Sequence, residues 1–426
     1  MGSRMLSQIE QQVCERVQTL ENELIDVLSK LVSFNTADPP GENYDECAEF
    51  ICDYLKELTT RVEIIQMPSR SLSPHPSPGV IPSRPNVIAE ILGSESGPVL
   101  HFNGHYDVVP AIGDWASNPY KPRVEDGRLY GRGSTDMKAG IAAMLVTARV
   151  LKSEDVNLKG TISFSFVPDE ENDGPAGTKF LTEQKKVKAD YCIIGEPSGG
   201  YALYNGHKGC LWLEVNTYGK SAHGSTPWKG INAFDEMVEI VQEINARVKP
   251  GLLREGIKLD EHAIDKTGAI TLGGKVATGY VPNVVPSQCS MTIDRRLAAG
   301  EDGQKILADF SAILKSLSNR NPDFKADFEV LSKYEACVTP IKSNPVITVK
   351  EVLESVTGKT PGVSIMQAGC DMRYFHAMGI PVVVYGPGDL LKAHQVDESV
   401  EMNQLITATQ VYALTAMRLL GAADRI

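Results

Sequence analysis

Two hydrophobic periodicities take turns along this chain. Leu6 to Phe34 and Tyr44 to Leu58 carry apolar residues at helical spacing, and the runs RVEIIQM, NVIAEIL and PVLHFNGH that follow alternate or stay apolar as strands do. The spacing goes on to predict a helix over Lys138 to Lys152 and a buried strand in TISFSFV from Thr161. It then predicts a helix over Ala176 to Lys185 and a strand in DYCIIGE from Asp190. Helices interleaved with strands this apolar imply a mixed or parallel sheet covered on both faces. Ligands of such sheets bind beyond the carboxyl ends of the strands.

After about Gly206 the rhythm changes. The order becomes strand (CLWLEVNTYG), helix (Ile231 to Val248), strand (AITLGG), strand (SQCSMTIDRRL), helix (Gln304 to Leu317) and strand (FKADFEVL), which predicts a compact α+β sandwich. From Ile341 the first pattern returns, with a helix over Pro345 to Thr357, the strand IPVVVYG and a last helix over Gln404 to Leu420. The expected fold is α/β: a catalytic domain in two parts, 1–205 and 337–426, with an α+β domain inserted at 206–336. The Pro- and Ser-rich stretch from Pro68 to Asn86 predicts a surface loop.

Composition narrows the function more than the fold. A chain of 426 residues is longer than one core usually serves, which agrees with two domains. The formal net charge of −12 argues against a phosphate-binding surface, so nucleic acid is not an expected partner. No apolar run approaches the roughly 18 residues that would span a bilayer, and no membrane association is expected. The opening MGSRMLSQIEQQ lacks a basic segment followed by an apolar stretch, so a cytoplasmic location is expected. Met1 to Arg4 read as a cloning remnant as readily as a natural start. The eight cysteines are scattered without a CxxC pair, and disulfides are not expected.

The polar residues at strand ends carry the chemistry. HFNGHYDVVP sets His105 and Asp107 two apart, on one face, so that one can bind while the other orients; alone, such a pair is more often a hydrogen-bonded structural histidine. Asp136 in GRGSTDMKAG stands between a glycine-rich turn and a helix start, where capping is the commoner task. VPDEEND places Glu170 and Glu171 side by side after a buried strand. Adjacent carboxylates repel and gain little unless a cation or proton is shared. Glu196 ends a further strand, and His394 follows IPVVVYG. The inferred sheet would gather His105, Asp136, Glu171, Glu196 and His394 at one edge, an oxygen and nitrogen donor set suited to zinc, and five such donors suit two ions sharing a carboxylate.

The order HxD, GRGSxDMKxG, DEE, GEP, GKxAHGSxPxxGxNA and a late AHxxDE resembles the acetylornithine deacetylase, succinyl-diaminopimelate desuccinylase, aminoacylase and carboxypeptidase G family, and it does so over nearly the whole chain. The resemblance implies a zinc-peptidase-like catalytic domain, a mixed sheet flanked by helices, with an inserted lid and dimerisation domain. It implies two Zn2+ ions, with Co2+ or Mn2+ also compatible with such donors. Asp136 would bridge them, with His105 and Glu196 on one ion and Glu171 and His394 on the other. Asp107 would accept a hydrogen bond from the far nitrogen of His105. Glu170 would be the general base, taking the proton of a metal-activated water that attacks an amide carbon. In family members that dimerise through the lid, the histidine matching His223 reaches the neighbouring subunit's site and helps hold the oxyanion. Asn283 and Arg296 match positions that grip a substrate carboxylate or carbonyl, and Arg373 is a further candidate for which a surface salt bridge is the alternative.

The function implied is a metal-dependent amide hydrolase that removes an acyl group from an N-acyl amino acid or related small amine, working as a homodimer. A di-/tripeptidase or carboxypeptidase of the same family is the alternative. Glu196 bears on it, because aminopeptidase-like relatives usually carry Asp there. A non-catalytic binding protein on this fold is a third reading, opposed by the complete ligand set and base. One departure bears on the acyl group: His207 stands where the desuccinylase branch carries an Arg able to clamp a succinyl carboxylate. A shorter, largely neutral imidazole cannot form that fork, so a small or uncharged acyl group is expected, unless His207 merely packs at the hinge.

Overall fold

The computed structural model describes residues 5–67, 83–154, 156–172, 174–252, 267–279 and 281–421. Met1 to Arg4 and most of the loop expected over Pro68 to Asn86 lie outside them. The chain divides into two compact units, one of Met1–Gly206, Thr339–Ser364 and Cys370–Ile426, the other of His207–Val338 with Ile365–Gly369.

The first unit is built on a mixed sheet. Its order begins with Arg61–Gln66 and Pro85–Ile91, continues through Thr161–Val167, Val99–His105, Tyr191–Ile194 and Val382–Val384, and reaches Ala202–His207. The four central strands run parallel, with Val99 beside Thr161, Leu100 beside Tyr191 and Val382 beside Cys192. The strands at either end of this run are antiparallel to it. All four parallel strands therefore deliver their carboxyl ends to one edge.

Strand alternation separates the two faces of this sheet. Leu100, Phe102, Ile162 and Phe164 point one way, and the Phe102 ring meets Tyr412 of the helix Met402–Leu420 at 5.3 Å. That helix packs against Lys138–Ser153, and both are buried on almost every side, as expected of helices in the middle of a layered unit. His101, Asn103, Ser163 and Ser165 point the other way. There His101 contacts Phe375 of Met372–Ala377 at 5.2 Å, and the Asn103 amide donates to Thr178, which opens Thr178–Glu183. The apolar run Leu6 to Phe34 forms two helices, Gln8–Thr19 and Glu21–Ser33, that meet at Leu20. A small sheet of Arg123–Glu125, Arg128–Tyr130 and Ser399–Glu401 has strands too short to carry a legible period.

The second unit is an antiparallel sheet in the order Ala269–Ala277, Gln288–Leu297, Gly209–Tyr218, Lys325–Tyr334. Its two longest described helices are Ala233–Arg247, capped by the Asn232 side chain, and Gly303–Arg320, capped by Asp302. Leu211, Leu213, Val215, Met291 and Ile293 pack with Met237, Ile240, Phe310 and Leu317 into a core of their own. Among the described residues no helix is long and apolar enough to cross a membrane.

Candidate metal centre and active site

Each expected ligand sits just past a strand or at a turn on the sheet edge where the parallel strands end. His105 closes Val99–His105, Glu170 and Glu171 open a short 3-10 helix after Thr161–Val167, and Glu196 follows Tyr191–Ile194. Asp136 precedes the helix Lys138–Ser153, whose N-cap is Met137 with no side-chain cap, so the Asp136 carboxylate is not engaged in capping. The start of this helix comes close to the Glu196 segment because Gly140 has no side chain: a Cβ there would lie 2.3 Å from the Gly195 carbonyl oxygen. His394 follows the 3-10 turn Leu390–Lys392 with φ of 62°, a left-handed conformation uncommon outside glycine, asparagine and aspartate.

These side chains meet. His105 Nε2 lies 3.2 Å from Asp136 Oδ1, 3.5 Å from Glu196 Oε1 and 4.0 Å from Glu170 Oε2. His394 Nε2 lies 3.3 Å from Asp136 Oδ2 and 3.0 Å from Glu171 Oε1. Asp136 thus turns one oxygen toward each imidazole. Donor atoms of His105, Asp136 and Glu171, and separately of His105, Glu170 and Glu196, fall within 4.8 Å of one another. On the far side of His105, Nδ1 is 3.0 Å from the Asp107 carbonyl oxygen and 3.3 Å from Asp107 Oδ1, while Asp107 Oδ2 accepts from the Glu171 backbone N–H at 3.1 Å.

The electrostatics follow from burying four carboxylates together. Burial first, then the charges of Asp136 and Glu171, pushes the Glu196 carboxyl up to about 8. Burial and the nearby Glu196, Asp371 and Glu171 charges likewise drive Glu170 well above the usual carboxylate range, against the pull of His105. For Asp136 burial pushes upward too, but hydrogen bonds to His105 and His394 outweigh it and hold the carboxyl far down. His394 is raised to about 11 by its bonds to Asp136 and Glu171. Four carboxylates around two imidazoles, oriented so that one is shared, form the donor set that divalent cations neutralise, and the residues fit a pair of such ions.

Residues not singled out from the sequence hold this edge in place. Arg84 places Nε 2.6 Å from Asp169 and Nη2 3.3 Å from Asp38, all three buried, so it anchors the residue before Glu170, itself at φ of 65°. Thr178 donates to Asp371 at 2.6 Å beneath the same loop. Glu398 and Arg132 form a buried pair beside Asp136. The DEE motif pointed at its neighbours, but an arginine 85 positions earlier in the chain carries no sequence signal of this contact. Arg373 is partly buried, donates to the Tyr374 hydroxyl at 3.1 Å and lies near enough to Glu170 and Asp371 for their charges to help keep it protonated against the pull of burial.

The remaining candidates belong to the second unit. His223 is exposed, with Nδ1 2.7 Å from the Ser225 hydroxyl, and it pairs across a bridge with Val284; the Gly224 N–H donates to the Asn283 carbonyl at 2.7 Å. His223 and the exposed Asn283 are therefore brought together. Arg296 is held by Asp294, Nε to Oδ1 at 2.9 Å, with its guanidinium 5.7 Å from the Trp212 ring. His207 is fully buried, its Nδ1 2.9 Å from the Lys208 carbonyl oxygen and its ring edge-on to Tyr334.

Known proteins resemble this chain in sequence and in fold. A protein named probable succinyl-diaminopimelate desuccinylase from Staphylococcus aureus is 27% identical over 416 residues, covering 92% of this chain and 96% of its own. N-formyl-4-amino-5-aminomethyl-2-methylpyrimidine deformylase from Bacillus subtilis is 25% identical over 424 residues, covering 93% and 94%. Among solved structures, a Bacillus subtilis protein described as a dinuclear metal-binding peptidase superposes with a TM-score of 0.69 at 18% identity, covering 95% of this chain and all of its own. The profile of peptidase family M20/M25/M40 matches residues 101–418, and the chain is a member of that hydrolase family.

Proposed function

We propose that this protein is a two-metal amide hydrolase that releases the acyl group of an N-acyl amino acid or related small amine, with Glu170 as general base. The observation that carries the reading is the shared Asp136, one oxygen toward His105 and the other toward His394, ringed by Glu171 and Glu196. His105, Asp136 and Glu196 would hold one ion, and Asp136, Glu171 and His394 the other. Zinc suits these nitrogen and oxygen donors, and Co2+ or Mn2+ would also fit. The ions, when bound, supply Lewis-acid polarisation of a carbonyl and acidification of water.

The protein's own groups do the rest. Glu170 is held at the sheet edge by Asp169 and Arg84, with its carboxyl raised by burial and neighbouring charge. A base so placed can take a proton from the attacking water and return it to the departing nitrogen. Asp107 keeps His105 oriented through Nδ1, leaving Nε2 for a metal. His223, on the exposed turn of a domain that acts as lid and dimer interface, would donate to the oxyanion of a site in the neighbouring subunit. Asn283, Arg296 and Arg373 are the candidates for gripping the substrate's carboxylate.

On the acyl group two observations pull apart. His207 in place of an arginine favours a small or neutral acyl group, and the deformylase relative is consistent with that; the relative named as a desuccinylase favours a charged one. The burial of His207 weakens its own vote. Steady-state hydrolysis by the metal-loaded protein of N-acetyl, N-formyl, N-succinyl and N-carbamoyl amino acids, alongside dipeptides, decides among them. A highest kcat/KM on a neutral N-acyl amino acid supports the reading, one on succinyl-diaminopimelate places the protein with the desuccinylases, and one on a dipeptide makes it a peptidase.

A further inference from the structure

We propose that Glu398 is a positioning residue that fixes the distance between Asp136 and His394 by clamping together the two loops that carry them. Its Oε1 accepts from the backbone N–H of Thr135 at 2.8 Å and of Asp136 itself at 3.0 Å, while its Oε2 faces Arg132 Nη1 at 2.5 Å. Both side chains are buried, Arg132 at 2% exposure and Glu398 at 1%, and the guanidinium rests 5.0 Å from the Trp115 ring. Four residues before Glu398 lies His394. The same segments are also joined by Gly131 N–H to the Glu398 carbonyl at 2.9 Å, the Thr135 hydroxyl to the Ser399 carbonyl at 2.9 Å and Arg132 Nη1 to the Gln395 carbonyl at 3.4 Å, and just beyond by the ladder of Arg128–Tyr130 with Ser399–Glu401.

A buried ion pair is a poor source of net stability, since apolar side chains of equal volume often serve as well. What it gives here is direction. Three donors from one loop converge on a single carboxylate of the other, and two of them are the main-chain groups at and before Asp136. His105 and Glu196 are placed by strand ends and need no such clamp, whereas His394 sits on an irregular turn in a left-handed conformation. The ion assigned to Asp136, Glu171 and His394 should therefore depend on Glu398, and the ion assigned to His105, Asp136 and Glu196 should depend on it far less.

This inference rests on the ligand assignment proposed above, and the test separates the two. Metal-free full-length protein is titrated with Co2+ by calorimetry and by its visible absorption, with folding checked by circular dichroism. Arg132→Met/Glu398→Met removes the clamp without stranding a charge. Of the two equivalents it should bind one as the parent does and the other at least about tenfold more weakly, the scale on which outer-shell partners act. Glu398→Gln, which keeps an acceptor for the two N–H groups, should weaken that same ion less and leave the other unchanged. Two equivalents of undiminished affinity in either folded variant, or equal weakening of both, overturns the clamp. His394→Ala is the control. Two equivalents bound there with parental affinity would refute the ligand assignment itself, whatever Glu398 does.

Discussion

Most metal-site candidates of the first unit and the turn residues of the second are held in opposite ways, the exposed His394 and the buried His207 being the exceptions. In the first, His105, Asp136 and Glu196 are nearly inaccessible, pressed together at one sheet edge, and each perturbs the others' protonation. In the second, His223 and Asn283 are exposed on neighbouring turns, tied to local groups such as Ser225 and Gly224. Buried polar groups at such density are costly unless a cation or shared protons compensate them, so the first cluster calls for compensation by its own energetics. An exposed histidine declares nothing until a substrate or another chain meets it. The first unit can be read as a site by itself; the second supplies groups whose meaning lies outside it.

The largest expected effect tests the first unit from within. Glu170→Gln should keep both metal ions, as counted by elemental analysis, and lose about 10²–10⁴-fold in kcat, the usual worth of a positioned general base. Glu171→Ala, one residue on, should lose metal. A stripped Glu170→Gln protein beside a loaded Glu171→Ala protein would reverse the two roles.

His223→Ala asks whether the exposed group matters at all. It should fold and bind metal as the parent does, yet lose roughly 10²–10³-fold in kcat, as when one oxyanion donor is removed. If the site is completed across subunits, mixing His223→Ala with Glu170→Gln should restore activity through hybrid dimers holding one intact site. Verified hybrids that stay inactive would return His223 to the status of a surface residue.

Removing metal should divide the molecule. An ion present at 100 times its Kd adds about 2.7 kcal/mol to the form that binds it. Chelation should therefore lower the melting of the first unit by several degrees and speed amide exchange along Thr161–Val167, while exchange along Gln288–Leu297 in the second unit changes little. Equal loss of protection in both strands would mean that the units unfold as one, and the contrast between them would fail as a thermodynamic statement.

How much of this was legible in the sequence follows the same contrast. The layered first unit announced itself because its strands are buried on both faces and its helices keep a 3.6-residue period, and the strand-end residues followed from where such sheets bind ligands. The adjacent Glu170 and Glu171 stood out because like charges side by side need a reason. Arg84, Arg132 and Glu398 did not stand out, since an arginine looks alike whether it lies on the surface or under a loop, and its partner is found only after the chain has folded. The short strands Arg123–Glu125, Arg128–Tyr130 and Ser399–Glu401 are below the length at which alternation can be recognised. His207 is a different case: its motif context allowed either a ligand contact or packing at the hinge, and the structure adds that its ring is fully buried beside Tyr334.

The smallest effect concerns a histidine that takes no part in the chemistry. His101 lies wholly inside the first unit, with its two ring nitrogens 3.0 Å from the Ser163 hydroxyl and 2.7 Å from that of Ser165. Burial holds it neutral, lowering its pKa to about 3 from 6.5. The unfolded chain therefore binds a proton below pH 6.5 that the folded chain refuses. The stabilising contribution is complete well above that pH and drains away as the pH falls toward 3, about 2 kcal/mol of it being lost by pH 5. In metal-free protein, exchange of the Phe102 and Phe164 amides, corrected for intrinsic rates, should accelerate over this range, while Leu213 and Ile293 of the second unit serve as the reference. His101→Gln can still meet both serine hydroxyls but cannot take up the proton, so it should flatten the first unit's pH slope by about that 2 kcal/mol. Identical slopes in parent and variant would show that acid enters the first unit through some other group, and that its sensitivity belongs to the clustered carboxylates and imidazoles at the sheet edge instead.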